Sequence, residues 1–450
     1  MVYLQVTRDE RSPIMQADRP STPNSAALNQ DGHDLSYFVQ ARVGTNKQDM
    51  WMLLDTGGSY TWVFGSNCTV KACEQHSTFD AGGDDAEIAN TQWRVGYGTG
   101  TVKGTLASDV ISIAGTDMTV NMTFGLATSA SDDFLSYPFD GILGLAPSSS
   151  SSSNDRQSSS TFMDSVSQGR LLETNVLGFS ISRAIDGAKD GEITFGGVDQ
   201  SKFSGKIAYT DTVTDGEHGR LWTIPLDDAI VNGKPLNFSP RNAIIDTGTS
   251  YIMTPDAEAL HDAIPGATPK SQDDDGDDDG YYLVPCDSQV DVQLVISGIA
   301  YSISPADYVG ASSSSAAGTC TSTIVGQKTF GDHDWLVGDT FLKNVYTVFD
   351  YERNRVGLAP RGEGGSTGDM SGFEAESSST STLSVASTTT LTKSSPTSLP
   401  TPTSTGRGSA SSPSTMGKAT SAASRSFYHD SHPLMLGIVV VTTLMIYLHV

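Results

Sequence analysis

The chain has 450 residues, 37% of them hydrophobic, which is enough for two or three domains or one large bilobal one with a real core. Its formal net charge of −25 argues against nucleic acid as a partner, because phosphates demand Lys and Arg. A surface this acidic loses its self-repulsion as carboxylates protonate, which suits a protein working at low pH.

Residues 1–34 are polar and read as irregular, with prolines at Pro13, Pro20 and Pro23. The opening stretch MVYLQVTRDERSP has no charged region followed by an apolar core, so it is not a signal peptide. From YFVQARVG at Tyr37 to about Pro360, runs of Val, Ile, Phe, Tyr and Thr alternate with Gly, Asp, Asn and Ser. TVKGTLASDVISIAG, GEITFGGVD, VDVQLVISGIAYSIS and VYTVFDYERNRVGLA read as short strands joined by turns. STFMDSVSQGRLL and DAEALHDAI are the better helix candidates, so the core is expected to be mostly β. SSSSSSNDRQSSS, near Ser150, and DDDGDDDG, from Asp273, read as surface loops; the second lacks the later Glu that a calcium loop requires.

Cys68, Cys73, Cys286 and Cys320 allow three disulfide pairings. The close spacing of the first two suggests a small loop and leaves a larger one to the others. No Cys-x-x-Cys is present and the four do not form a zinc pattern. His333, in FGDHDWLVGD, has acidic neighbours but reads as a solvated loop histidine rather than a metal ligand.

After Pro360 the composition changes. Residues 361–432 are dominated by Ser and Thr with almost no large apolar side chains, so they cannot bury enough surface to offset chain entropy and read as an extended, O-glycosylated stalk. Residues 433–450, PLMLGIVVVTTLMIYLHV, are at the short limit for a membrane span and have no Lys/Arg-bearing flank behind them. Small residues near Ser421 and Ala422, a polar spacer from Ser424 to His432 and this apolar end make the pattern of a glycosylphosphatidylinositol (GPI) signal. A tail-anchored helix is the competing reading. The lipid anchor needs entry to the secretory pathway, so a leader is expected upstream of this sequence. There the sequons at Asn67, Asn121 and Asn237 also become meaningful.

One phrase occurs twice: LLDTGGSYTWV from Leu53 and IIDTGTSYIM from Ile244. An Asp-Thr-Gly after a buried strand sits at a tight turn, where Gly57 and Gly248 permit close backbone approach and the Asp side chain projects. Two copies in matching contexts imply two related lobes, each offering one carboxylate. Carboxylates about 3 Å apart cannot both ionise cheaply; they share one proton, so one is base while the other is acid. Such a pair can activate a water against an amide carbonyl with no metal, cofactor or nucleophilic side chain.

These segments resemble the pepsin-like aspartic peptidases across roughly residues 35–360. VGYGTGTVKG is similar to the family's flap hairpin, and FDGILGLA and WLVGDTFLKNVYTVFDYERNRVGLA resemble the hydrophobic-hydrophobic-Gly segment of each lobe with the closing strands. The resemblance implies a bilobal fold with the cleft between an N-lobe at about 35–180 and a C-lobe at about 181–360, and an acid-active endopeptidase. It implies Asp55 and Asp246 as the catalytic pair, Thr56 and Thr247 as hydroxyls locking the two turns, and Tyr97 as the flap tyrosine supported by Trp62. Gly57, Gly98, Thr99, Gly248 and Thr249 would bind the substrate backbone. It also implies the pairings Cys68–Cys73 and Cys286–Cys320. The stalk and tail resemble fungal cell-surface members, which implies a monomeric protease acting on peptides or proteins at the outer face of the membrane or in the wall.

Two departures stand out. The family usually has Ser after the first Asp-Thr-Gly, donating to the first aspartate; here it is Gly58, which should raise the Asp55 pKa modestly. Residues 1–34 are also too short and too little basic for the family's complete prosegment, and are expected to be at most its remnant. The alternative is a catalytically inert cell-surface glycoprotein on the same fold, but both Asp, both Thr and both Gly are retained. A serine or metallo-hydrolase is disfavoured by the absence of Gly-x-Ser-x-Gly before Pro360 and of His-Glu-x-x-His, and a structural wall protein by the flap-like YGTG.

Overall fold

Short runs of β-branched and aromatic residues, cut by Gly, Asn and Asp, favour strands over helices throughout the folded part of the chain. The computed structural model describes residues 13–83, 85–98, 100–147, 160–213, 221–270, 280–313 and 316–362. Within them the fold is mostly β and bilobal, as expected. The stretches 148–159 and 271–279, Thr99, residues 1–12 and the segment from 363 onward lie outside the described residues. The readings of the two polar loops, the stalk and the apolar tail therefore fall there. Among the described residues no helix is long and apolar enough to cross a membrane.

The strands form an eight-stranded sheet in the first half, three smaller sheets in the second, and a six-stranded sheet that takes strands from both. In the first half, Gln48–Asp55 pairs in parallel with Gly141–Gly144, which in turn pairs antiparallel with Trp62–Phe64. In the second half, Arg241–Ile245 pairs in parallel with Asp334–Val337, which pairs antiparallel with Ile252–Met253. The topology is the same: strand, Asp-Thr-Gly turn, strand, with a later strand inserted between the two. The inserted strands, ILG and LVG, are buried on both faces, which explains their unbroken apolar character. Their glycines are steric necessities. A Cβ at Gly144 would lie 2.5 Å from the Ser59 carbonyl carbon, and one at Gly338 would lie 2.0 Å from the Thr249 carbonyl oxygen.

The six-stranded sheet runs Ser25–Ala27, Glu192–Phe195, Val176–Ser180, Val345–Asp350, Arg355–Pro360, Ala208–Asp211. Its centre pairs Val176↔Asp350 through Ser180↔Tyr346, joining the two halves by backbone hydrogen bonds. Its edge corrects the reading of residues 1–34 as irregular. Ser25–Ala27 pairs with Glu192–Thr194, Asn29–Gln30 pairs with Tyr37–Phe38, and Met15 bridges to Gln30. Strands of two or three residues carry too little pattern to be seen in sequence.

Both helix candidates form, as Phe162–Gly169 and Ala257–Asp262. The first begins at a capping box in which Thr161 and Asp164 exchange side-chain and backbone hydrogen bonds. The disulfides are Cys68–Cys73 and Cys286–Cys320, with Cα separations of 5.9 and 5.0 Å.

A buried ion cluster braces the six-stranded sheet against the second half. The Arg183 guanidinium donates to Asp307 through Nε (2.9 Å) and Nη2 (2.7 Å), and Nη2 also donates to Asn344 at 2.8 Å. Lys343 Nζ lies 3.2 Å from the same carboxylate, whose side chain is 1% exposed. Removing the shared anion would leave two buried cations, with Asp186 3.6 Å from Arg183 as partial compensation. Asp307→Ala is therefore expected to destabilise the fold by about 3 kcal/mol in chemical denaturation at fixed pH; a loss within experimental error would show that the cluster contributes nothing net.

Candidate active site

The Asp-Thr-Gly turns meet back to back between the lobes. Thr56 Oγ1 donates to the Ile245 carbonyl (2.9 Å) and Thr247 Oγ1 to the Leu54 carbonyl (2.7 Å). Each hydroxyl also accepts from the other threonine's backbone: Thr247 N–H to Thr56 at 3.0 Å, Thr56 N–H to Thr247 at 3.2 Å. Each lobe thus supplies donors and acceptors to the strand that precedes the other lobe's aspartate. Both threonines are buried, so none of these bonds competes with bulk water.

This contact brings Asp55 and Asp246 together, close enough for the one Gly57 N–H to reach both carboxyls. The closeness leaves no room for side chains at the following positions. A Cβ at Gly57 would sit 2.5 Å from the Asp246 carboxyl carbon, and one at Gly248 would sit 2.6 Å from Asp55 Oδ1. Gly57 N–H donates to Asp55 Oδ1 (3.0 Å) and to Asp246 Oδ1 (2.9 Å), and Gly248 N–H to Asp246 Oδ1 (2.8 Å). Thr249 Oγ1 donates to Asp246 Oδ2 at 2.6 Å.

Asp55 is 1% and Asp246 0% exposed. Burial raises the pKa of both. For Asp55 the neighbouring Asp246 charge adds to the effect and the carboxyl is pushed well up. For Asp246 the Thr249 hydroxyl and the Gly248 and Gly57 amides hold the rise in check. Burial is the largest cause of the Asp55 shift, and the Gly57 and Gly58 amides act against it. Chemically, such a pair is suited to carry one proton and one charge, and so to act as acid and base at once.

The flap is the hairpin of Glu87–Tyr97 and Gly100–Ile113, closed by the pair Tyr97↔Gly100. Gly98 lies in its turn; Thr99 is outside the described residues. Trp62 Nε1 donates to the Tyr97 hydroxyl. Phe134 packs edge-on to both rings, 5.7 Å from Trp62 and 5.9 Å from Tyr97. The Tyr97 pKa is pushed well up by burial and by the negative charge at Asp55, so the hydroxyl stays neutral.

Comparison with known proteins places this arrangement. Residues 36–361 match the family model described as eukaryotic aspartyl protease. The chain belongs to that family. It is 52% identical over 359 residues to the aspartic-type endopeptidase ctsD of Aspergillus fumigatus, covering 79% of this chain and 72% of that one. It is 46% identical over 359 residues to a probable aspartic-type endopeptidase CTSD of Trichophyton verrucosum, of which it spans 66%. It is 33% identical over 338 residues to pepsin A of Sus scrofa, covering 73% of this chain and 82% of that one. The activity is that of an aspartic-type endopeptidase, and its substrates are peptides.

Most residues singled out from the sequence converge here: Asp55, Thr56, Gly57, Asp246, Thr247, Gly248 and Thr249 around the carboxyls, Trp62 and Tyr97 at the flap. His333 lies apart, with Nδ1 3.0 Å from Arg241. Two contributors escaped the sequence reading. Phe134 supports the flap pair from a short turn whose pattern, DDFL, announces nothing. Asp339 is buried beside Asp246, and burial holds its carboxyl well above the usual range. Ser250 donates its hydroxyl to the Leu35 carbonyl.

Thr247→Val would remove two of the four inter-turn bonds and leave Leu54 O and Thr56 N–H buried without those partners. A loss of about 2 kcal/mol in denaturation is expected, with Thr247→Ser retaining most of the stability; equal stability of the Val and wild-type proteins would mean that the turns are held by packing alone.

Proposed function

We propose that Asp55 and Asp246 are the catalytic pair of this endopeptidase and act on a water held between them. The observation that carries the reading is the pair itself: two buried carboxyls, sharing the Gly57 N–H, on matched turns from opposite lobes. In the singly charged state, the ionised carboxylate takes a proton from the water as its oxygen attacks the scissile carbonyl carbon. The protonated partner gives its proton to the carbonyl oxygen. A tetrahedral diol results; its collapse passes a proton to the amide nitrogen and breaks the C–N bond. Thr56 and Thr247 hold the turns in register. Tyr97, carried on the flap and oriented by Trp62, closes over the substrate, while Gly57, Gly98, Thr99, Gly248 and Thr249 bind its backbone. The enzyme works as a monomer.

Asp55→Asn and Asp246→Asn each remove the ability to share a proton with little change in shape. Peptide cleavage at acid pH is expected to fall by at least about 1,000-fold in either variant, with circular dichroism unchanged; substantial turnover in either would remove the assignment. Both pKa values are raised, yet the pair still needs its single proton. Raising pH through the upper value strips the acid, so kcat/KM must fall toward alkaline pH; a rate still climbing through neutrality would contradict the mechanism.

The protease head is proposed to be displayed at the cell surface, as a glycoprotein on a lipid anchor. The Ser/Thr-rich residues 361–432, the apolar residues 433–450 and the small residues near Ser421 and Ala422 support this reading. The sequon asparagines Asn67, Asn121 and Asn237 are exposed, and both disulfides suit an oxidising compartment. Phosphatidylinositol-specific phospholipase should release the enzyme from cells, with its C-terminus near Ser421; recovery of LMLGIVVVTTLMIYLHV peptides from membrane-bound protein would instead favour a tail anchor.

A further inference from the structure

One buried polar side chain takes no part in the carboxyl chemistry, yet it stands directly behind the flap. His76 follows the Cys68–Cys73 loop, and its imidazole is 0% exposed. Its Nε2 lies 2.8 Å from the Phe134 carbonyl oxygen. A carbonyl can only accept, so Nε2 carries the hydrogen and donates. The ring stacks on Phe64 at 4.6 Å, and Phe64 meets Trp62 edge-on at 5.1 Å. One imidazole therefore touches two residues that back the flap pair: Phe134, which packs on both Trp62 and Tyr97, and Phe64, which packs on Trp62.

The other side of the ring faces Asp140. Nδ1 is 3.7 Å from Asp140 Oδ1, too far for a hydrogen bond, and has no hydrogen-bond partner among the described residues. Asp140 is a clamp in its own right. Its N–H donates to the Trp51 carbonyl at 2.7 Å, and its carbonyl accepts from the Phe64 N–H at 3.1 Å. Its carboxylate accepts the Trp51 N–H and the Ser77 N–H, each at 2.9 Å. Trp51 lies on the strand Gln48–Asp55, which ends at the first aspartate. His76 thus sits between that strand's clamp and the platform under the flap.

We propose that His76 is a positioning residue for the flap: its donation to the Phe134 carbonyl fixes the short turn Asp132–Leu135, and through the Phe134 ring it sets Tyr97 relative to the strand that carries Asp55. A single four-residue turn of this kind has little internal bonding to hold it. The bond from His76 is buried, so the carbonyl has no bulk water to turn to when the donor is lost. The turn then shifts toward another partner and carries Phe134 with it. The proposal rests on the reading of Tyr97 as the residue that closes over the substrate.

The test is kcat/KM on a peptide substrate at one fixed acid pH, with circular dichroism of each protein, for the wild type, His76→Gln, His76→Asn, Tyr97→Ala and the double variant His76→Asn with Tyr97→Ala. Gln can place an amide N–H near the Nε2 position; the shorter Asn cannot. His76→Asn is expected to lower kcat/KM about ten-fold with a native spectrum. His76→Gln is expected to stay within about two-fold of the wild type, because the donor is kept. In the Tyr97→Ala background His76→Asn is expected to add no further loss, since the residue it positions is gone. An unchanged kcat/KM in His76→Asn, equal losses in Asn and Gln, or the same ten-fold loss on top of Tyr97→Ala overturns the proposal. Should His76→Asn fail to fold, His76→Phe, which keeps the stack on Phe64 and lacks the donor, takes its place in the same comparison. A Tyr97→Ala enzyme as active as the wild type would instead sink the flap reading itself, and the proposal with it.

Discussion

Two carboxyls taken out of water lose hydration and, once ionised, repel, so their closeness has to be held against both costs. Here the restraint comes from the reciprocal hydrogen bonds of Thr56 and Thr247, which couple each turn to the other lobe's strand. The rest of the architecture serves that contact. Each turn is anchored by a parallel strand inserted from later in its lobe, and those strands are bonded to the turns themselves: Leu145 N–H to the Asp55 carbonyl at 2.7 Å, Asp246 N–H to the Val337 carbonyl at 3.1 Å. Glycine recurs wherever two backbones or a backbone and a carboxyl must pass within van der Waals contact.

The lobes are also tied behind the site. The Leu145 carbonyl, just past the inserted strand of the first lobe, accepts from Trp222 Nε1 at 3.0 Å and from the Tyr351 hydroxyl at 2.6 Å, both from the second half of the chain. The six-stranded sheet and the Arg183–Asp307–Lys343 cluster add further ties. These ties would bear on the proposed catalysis, because a proton shared between two carboxyls is sensitive to small changes in their separation. The flap is built differently. Its strand Glu87–Tyr97 is exposed along most of its length and becomes anchored where Trp93, Val95 and Tyr97 meet the cluster of Trp62 and Phe134.

The two lobes are near-copies, yet the proposed chemistry requires inequality, since one carboxyl would donate while the other accepts. Gly58 and Thr249 provide a difference at equivalent places without disturbing the backbone symmetry that holds the pair. Burial raises both groups, and the hydrogen bonds around Asp246 hold its rise in check.

By itself the sequence determined the β class, the two Asp-Thr-Gly turns, the hairpin around Tyr97 and the helices at Phe162–Gly169 and Ala257–Asp262. Those features are local: alternation, capping and a repeated tripeptide are written in neighbouring residues. It left the disulfide pairing open until the family resemblance was invoked, and it hid the strands at Ser25–Ala27 and Asn29–Gln30, whose two or three residues have no period of their own. Only the tertiary structure decided that Phe134 supports the flap, that Asp339 stands beside Asp246, and that Asp246 gathers more donors than Asp55. Each depends on chain segments far apart in sequence meeting in space, and on burial, which no single position encodes. The raised pKa values of the pair belong to that second kind, because they are set by burial and by amides from both lobes.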